Sequence, residues 1–569
     1  MPRTNAGPNA FLDPAAPTLA TVIDRLATAE PNPQRCSEMA SAVRTLCRVL
    51  GRLPHELPAD TALLNRLMRG ALPAAVGVTP SRWANVRSLV LRAKSLTGCR
   101  IMPGRRLHPL ALAWAVLADR LPDHFARTIL SRLMRWCSAE DIAPDDVDQA
   151  VIERFGHALC EDSFHGRPLD AWQRTVRGWN RAVRTIAGWP QVLLAPPPPA
   201  REAYVLPLAA FPVTFQADVE LWLDHLAGKT DLDVGPVRPL RSISITKWRF
   251  GLRQIASALV QRGRQPATLT SLAELVTVDA AATILGFFLE RAGNRPCAQT
   301  QGLAARLKAI AKHHVRVAPE ILAQLQRMAQ RVTPPVQGMT DKNRNTLRQF
   351  ADPTMQRRLV NLPGELFERL LTASAPPKQL ALRLQSALAI ELLLVVPMRL
   401  KNLAALELER HLRRSGNGRP ARWFVVIPGA EVKNGQTLEL PLPERTVRLL
   451  EIYRARVLPM LAEQPAAMWL FPGLHGSKRE VSLRPQISKF IRCELGCRLS
   501  PHQFRHLCGY LYLQRHPHGH EVVRAMLGHR SIETTIKFYA GLEGIAAARH
   551  YDAMLQELIT PPQRQRRRA

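Results

Sequence analysis

The chain has 569 residues, with 78 Lys plus Arg against 46 Asp plus Glu, a formal net charge of +32. Apolar residues make up 46% and charged residues 22%, an ordinary globular mixture that excludes a disordered or collagen-like polymer. At roughly 100–200 residues per domain the length predicts about three or four domains. The positive excess is not confined to the terminal Arg564, Arg566, Arg567 and Arg568, so the expected partner is a polyanion, with nucleic acid first.

Residues 1–195 read as mostly helical, an N-terminal region of one or two modules. Leu, Ala and Arg dominate, and apolar residues recur at three and four: Trp83, Val86, Leu89 and Val90 make one stripe, and Trp172, Val176, Trp179 and Val183 another. The run Pro196–Pro199 cannot be helical and predicts a stiff, extended connector. The middle segment, 205–332, predicts a second helical domain, with Trp248, Leu252, Ile255 and Leu259 on one face. All three striped helices carry arginines, which suits one face in a core and the other toward phosphates. Acidic helix-start signals near Asp60, Asp145-Asp146 and Asp279 suggest a faint three-fold repeat, although helical proteins commonly show such starts.

A second joint is expected at 333–338, followed by a C-terminal domain over 345–560 and a basic tail over 561–569. Leu366 to Leu406 predicts helix with a break at Pro376-Pro377. Trp423–Ile427 predicts a strand ending at Pro428-Gly429. Glu431-Val432-Lys433 and Thr437–Leu440 flank Asn434-Gly435-Gln436, a hairpin signal because Asn and Gly both tolerate positive φ. Helices resume at Glu444. The expected fold class is therefore mainly α and multidomain, with a small antiparallel sheet set into a mostly helical, mixed α/β C-terminal domain.

Nine cysteines, an odd number, are scattered from Cys36 to Cys508 without a disulfide framework. Cys493 and Cys497 lack a second Cys/His pair at zinc-finger spacing and read as buried thiols. The N-terminus has no charged region followed by an apolar one. Ala387–Met398, the longest apolar stretch, is interrupted by Glu391 and too short to span a bilayer. These features lead us to expect a cytoplasmic, nucleoid-associated protein without membrane contact.

Two segments carry chemistry. In Ser500-Pro501-His502-Gln503-Phe504-Arg505, Ser500 suits a helix cap and Pro501 its first turn, so His502 and Arg505 share a face fit for an anionic oxygen. By itself His-x-x-Arg is common on solvated helices. Farther on, Gly528 is a natural helix stop and Ser531 a cap, which would pin His529 in a tight connector and place Tyr539 two turns into the next helix. His516, His518 and His520 alternate with Pro517 and Gly519 in a predicted loop, so no metal site is expected. The chain has no phosphate-binding G-x-x-x-x-G-K-[ST] loop and no His-Glu-x-x-His helix.

Together these residues resemble the tyrosine recombinase (phage integrase) family. Arg399 in Met398-Arg399-Leu400, Lys433 before the Asn-Gly turn, His502, Arg505, His529 in Leu527-Gly528-His529, and Tyr539 follow the family's signature in chain order. The resemblance covers about 345–555 well and 205–332 more loosely, as a core-binding domain; for 1–195 it implies only one or two extra DNA-binding, core-binding-like modules. It implies a site-specific DNA strand transferase, with Arg399, Lys433, His502, Arg505, His529 and Tyr539 as catalytic residues. No cofactor and no metal would be needed. The partner would be double-stranded DNA, bound by a homodimer per site and a homotetramer on two sites. Three positions depart from the pattern: Asn402 stands where a carboxylate is common, Pro397 where Gly is usual, and Tyr539 is one residue later than the common offset, which falls on Phe538. Other readings of the same residues are a non-catalytic DNA-binding protein of this fold, and a type IB topoisomerase-like enzyme relaxing a single duplex.

Overall fold

The computed structural model describes residues 17–103, 108–198, 204–229, 239–335, 338–372, 378–415, 422–462, 468–529 and 531–539, with isolated residues of 548–556. The chain forms two compact bodies. One is Pro198–Gln337, which begins in the proline run and ends at the second proline joint; the other combines Met1–Pro197 with Gly338–Ala569.

The body Pro198–Gln337 is helical. Helices Val213–Leu226, Ser242–Gln261, Val278–Arg291, Ala298–Ile310 and Pro319–Arg331 surround Phe215, Val219, Trp222, Leu252, Ile255 and Ile284. Leu252, Ile255 and Leu259 face inward as their spacing predicts, with Trp248 packed at the rim. Asp218 joins two of its turns by accepting from the Leu272 amide at 2.7 Å and meeting His314 Nε2 at 2.6 Å.

The composite body has three cores. Helices Leu19–Ala29, Pro33–Leu50 and Pro80–Leu96 enclose Leu26, Val43, Leu46, Val86 and Val90. Helices His124–Ala139, Gln149–Glu161 and Pro168–Thr185 enclose Trp114, Trp136, Phe155, Trp172 and Trp179. The helix-start signals hold in part. Asp60 accepts from the Leu63 amide at 2.6 Å, but Asp148, not Asp145 or Asp146, caps the helix Gln149–Glu161. Thr277, not Asp279, caps the helix Val278–Arg291.

The third core belongs to the C-terminal region. Helix Lys378–Val395 runs through its centre, with Leu384, Leu388, Leu392 and Leu393 buried. Glu391, the charge interrupting the apolar stretch, is 4% exposed and accepts from Thr446 Oγ1 at 2.9 Å and Arg445 Nη2 at 3.2 Å. A carboxylate so buried is tolerated because it is paired and hydrogen-bonded. The Pro376-Pro377 break lies outside the described residues. Among the described residues no helix is long and apolar enough to cross a membrane.

Three antiparallel strands, β1 (Leu412–Ser415), β2 (Arg422–Ile427) and β3 (Leu438–Leu442), lie in the order β1-β2-β3, with Ile427 opposite Leu438 and Trp423 opposite Leu442. Strand β1 carries no alternation and was not expected from the sequence. The predicted tight hairpin is also corrected. Glu431-Val432-Lys433 is not a strand but part of a chain of turns between β2 and β3. The strand already ends at Pro428-Gly429, and the Gly429 amide hydrogen-bonds to Thr437 Oγ1 at 3.2 Å, closing a wider loop.

The first 197 residues join the C-terminal region at the end of helix Glu480–Leu495. The glycine after that helix, Gly496, lies so close to the Ala74–Ala75 backbone that an added Cβ would stand 2.2 Å from the Ala75 nitrogen. Arg498 Nη2 donates to the Gly70 carbonyl at 2.7 Å.

Candidate active site

Helix Gln503–Arg515 organises the site. Ser500 does not cap it as expected: helical geometry begins at Gln503 with His502 at the N-cap, and the Ser500 amide and hydroxyl hydrogen-bond to Gln503 Oε1, each at 2.9 Å. Three residues in, Arg505 is 8% exposed. Its guanidinium forks onto two carbonyls, Nη1 to Pro397 and Nη2 to Leu527, each at 2.6 Å. Pro397 is two residues before Arg399, and Leu527 two before His529. One buried side chain therefore fixes both neighbouring segments at once. Burial, and then the nearby Arg399, hold its pKa down to about 10, so it stays cationic at neutral pH. Pro397, where the family pattern has Gly, thus ends helix Lys378–Val395 and supplies an acceptor.

Arg399 follows, half-buried between Met398 and Leu400, at the N-cap of the short helix Leu400–Ala404. Burial lowers its pKa. Asn402, one turn along, donates from its Nδ2 to the Glu431 carbonyl at 3.2 Å. That bond holds the β2–β3 loop against the helix. Asn434 Nδ2 ties the same loop to the Gly528 carbonyl at 2.6 Å. Lys433 is exposed between these two anchors.

Gly528 ends helix His520–Leu527 in the left-handed conformation (φ 59°), as the sequence predicts. His529 comes next, half-buried, with Nδ1 2.9 Å from Thr535 Oγ1. Burial, then Arg505 and Arg399, hold its pKa down to about 4, so the ring is neutral at pH 7. His502 has an exposed edge. Desolvation lowers its pKa, followed by the charges of Arg505, Arg484, Arg399 and Lys433. The fold therefore gathers Arg399, Lys433, His502, Arg505 and His529 into one cationic cluster. Arg484, whose charge acts on His502, and Thr535, which bonds His529, adjoin it as well, and sequence reasoning gave neither a role.

Tyr539 ends helix Ile532–Tyr539 and is 1% exposed. Its hydroxyl donates to the Arg505 carbonyl at 3.2 Å, not to a guanidinium. Burial raises its pKa above the ordinary tyrosine value. Phe538, at the family's common offset, is 36% exposed with its ring 5.6 Å from His506. The helix thus turns residue 539, not 538, toward Arg505. The phenol fits because Gly509 has no side chain: a Cβ there would stand 2.4 Å from the Tyr539 oxygen. Gly509→Ala is accordingly expected to lower stability by about 1–2 kcal/mol, overpacking outweighing better helix propensity. In a denaturant double-mutant cycle, the penalty should vanish when Tyr539→Ala is added.

His506 lies among these groups, and burial, then His502, hold its pKa down to about 4. With folded values below the unfolded value near 6.5, His506 and His529 favour the native state fully above that pH. This stability is lost as pH falls from about 6.5 toward 4. We expect the unfolding free energy to fall between pH 7.5 and 5, by up to about 2 kcal/mol from His506, read as a lower denaturant midpoint, with His506→Gln falling less.

Residues 361–543, which include all six expected site residues, match the model of the Phage integrase family. No curated protein matches the chain significantly. Similar solved structures include the XerH site-specific recombinase bound to difH substrate in a pre-cleavage complex (12% identity, 58% of this chain, 94% of that chain, TM-score 0.29). The XerH post-cleavage complex with palindromic difH substrate is similar at 12% identity over 62% of this chain and 97% of that chain (TM-score 0.31). The integrase from mycobacterium phage Brujita is similar at 17% identity over 57% and 88% (TM-score 0.22). Over residues 361–543, the chain carries a domain of the phage integrase family, the tyrosine recombinases.

Proposed function

We propose that this chain is a site-specific DNA recombinase that breaks and rejoins strands through a 3′-phosphotyrosine at Tyr539. The single observation supporting this most is the Arg505 fork, which joins the Arg399 and His529 segments beside the Tyr539 helix. A phosphodiester is anionic and repels a nucleophile, and a phenol with a pKa near 10 is mostly protonated at neutral pH. Fixed cations around one phosphate relieve both difficulties. Arg399 and Arg505 stabilise charge growing on the non-bridging oxygens, and neutral His529 donates to the same oxygens. His502, neutral and exposed, takes the phenolic proton. The tyrosine oxygen then bonds to phosphorus as the 5′ oxygen leaves with a proton from Lys433. The bond energy stays in the phosphotyrosine, so a 5′-hydroxyl can reseal the strand.

In this reading the buried phenol is a resting position. Attack requires Tyr539 to leave the Gly509 slot, and its place at the end of the helix makes that a local change. The same burial is what favours the alternative of a DNA-binding protein without chemistry. The test is incubation with a nicked duplex library followed by denaturing recovery of protein-linked DNA. Linked fragments sharing a sequence, which recombine when two copies are supplied, are expected; absence of any linked DNA would favour the non-catalytic alternative. Lys433 as acid carries its own expectation: Lys433→Ala should cleave about 10²-fold or more slowly, and a substrate with sulfur at the bridging 5′ position should restore most of the rate, because a thiolate leaves without protonation. We extend the reading to a homodimer on each site, a homotetramer on two sites, a role in mobile-element DNA, and a place on the bacterial nucleoid in the cytoplasm.

A further inference from the structure

Between the N-terminal helices and the helix Glu480–Leu495 lies a cleft of about 550 Å³. Its walls carry Arg69, Arg87 and Arg167 from one side and Lys489 and Arg492 from the other, with Trp83 also lining it and no carboxylate among the lining residues. Arg69, Lys489 and Arg492 are exposed. Arg87 gives one donor to the Phe164 carbonyl and Arg167 pairs with Asp170, each retaining further N–H groups. The cleft is held open by rigid contacts, the Gly496 backbone against Ala74–Ala75 and Arg498 on the Gly70 carbonyl.

We infer that this cleft grips the phosphate backbone of the DNA duplex beside the strand being cut, so that the N-terminal region extends the DNA contact of the catalytic domain. The helix Glu480–Leu495 links the two. Arg484, near its start, acts on His502, and Lys489 and Arg492, near its end, line the cleft. Arg484, Lys489 and Arg492 are all exposed. Eight residues of helix separate Arg484 from Arg492, about 12 Å, the length of about three or four base-pair steps at roughly 3.4 Å each along the duplex axis. A duplex with one phosphate at the catalytic cations is therefore within reach of the cleft. Guanidinium forks suit phosphate oxygens, and several cations without an acid leave the site short of negative charge until DNA arrives. The inference rests on the recombinase reading for where the DNA lies.

The test is equilibrium binding of the full chain to a 40-base-pair duplex by fluorescence anisotropy from 50 to 200 mM salt. Arg69→Gln combined with Arg492→Gln should flatten the plot of log affinity against log salt by about 1.8, at about 0.9 per phosphate contact. The loss of affinity across that salt range then becomes about tenfold smaller than in the unsubstituted chain. Arg25→Gln combined with Arg35→Gln, exposed and outside the cleft, should leave the slope unchanged. A cleft variant with the parent slope and affinity overturns the inference. Inorganic phosphate that, at matched ionic strength, displaces DNA from the parent more than from the cleft variant supports it, because competition at the cleft requires DNA phosphates to occupy it. Covalent capture is scored on the same samples. Captured DNA with an unchanged slope sinks the cleft and spares the recombinase reading; a flattened slope without captured DNA does the reverse.

Discussion

Arg505→Ala is expected to slow strand cleavage on the order of 10³-fold, the scale for losing a preorganised donor to developing charge. Binding should fall less than about tenfold, because one phosphate contact is a small part of so basic an interface. The structure adds a second consequence. Removing the guanidinium leaves the Pro397 and Leu527 carbonyls without their partner, and orphaned buried acceptors cost about 1–3 kcal/mol each. Stability should therefore fall by about 2–4 kcal/mol, read as a lower denaturant midpoint. Arg505→Lys keeps the charge but lacks the fork, so it cannot hold both segments. It should recover DNA affinity fully and cleavage only slightly. Cleavage assayed well below each variant's melting temperature, beside filter binding, checks both; equal losses of binding and cleavage would mean Arg505 serves only as a contact.

Tyr539→Phe is expected to abolish protein-linked DNA altogether while leaving binding within about twofold, since residue 539 is buried in the resting fold, away from the surface that meets DNA. Its hydroxyl does meet the Arg505 carbonyl at 3.2 Å, so the variant should lose about 0.5–1.5 kcal/mol of stability, the usual net worth of such a bond. Tyr510 is buried and Tyr551 exposed, and neither follows Gly528-His529 at the spacing of one short helix. A residual adduct in Tyr539→Phe would point to one of them.

The candidate residues were legible as types in order, because Arg, Lys, His and Tyr announce their chemistry without a fold. Their gathering was not, since it depends on Arg505 reaching carbonyls 108 and 22 residues away. Helix stops were read well where a single residue decides them, as at Gly528. The β2–β3 connection was read too tightly: Asn434-Gly435 is a strong local signal, but the tertiary bonds of Asn434 to Gly528 and Asn402 to Glu431 hold Lys433 in a loop. The departures at Pro397, Asn402 and Phe538 carried no explanation in the sequence and acquire one only from neighbours. Likewise, the seat of the N-terminal region on Gly496 and Arg498 spans more than 400 residues of chain and has no periodic or compositional signature. Arg484 is invisible for the same reason, being one exposed arginine among many until the fold brings its charge to bear on His502.

The central claim is that a cluster of fixed cations lets the phenol of residue 539 take a DNA strand covalently. Protease digestion of protein trapped on a nicked duplex, followed by mass spectrometry of the DNA-linked peptide, tests it most directly. The expected product is a peptide containing Phe538-Tyr539, with the phosphate on Tyr539 joined to a 3′ DNA end and a free 5′-hydroxyl on the other fragment. A linkage through any other residue, or through a 5′ phosphate, would contradict the assignment.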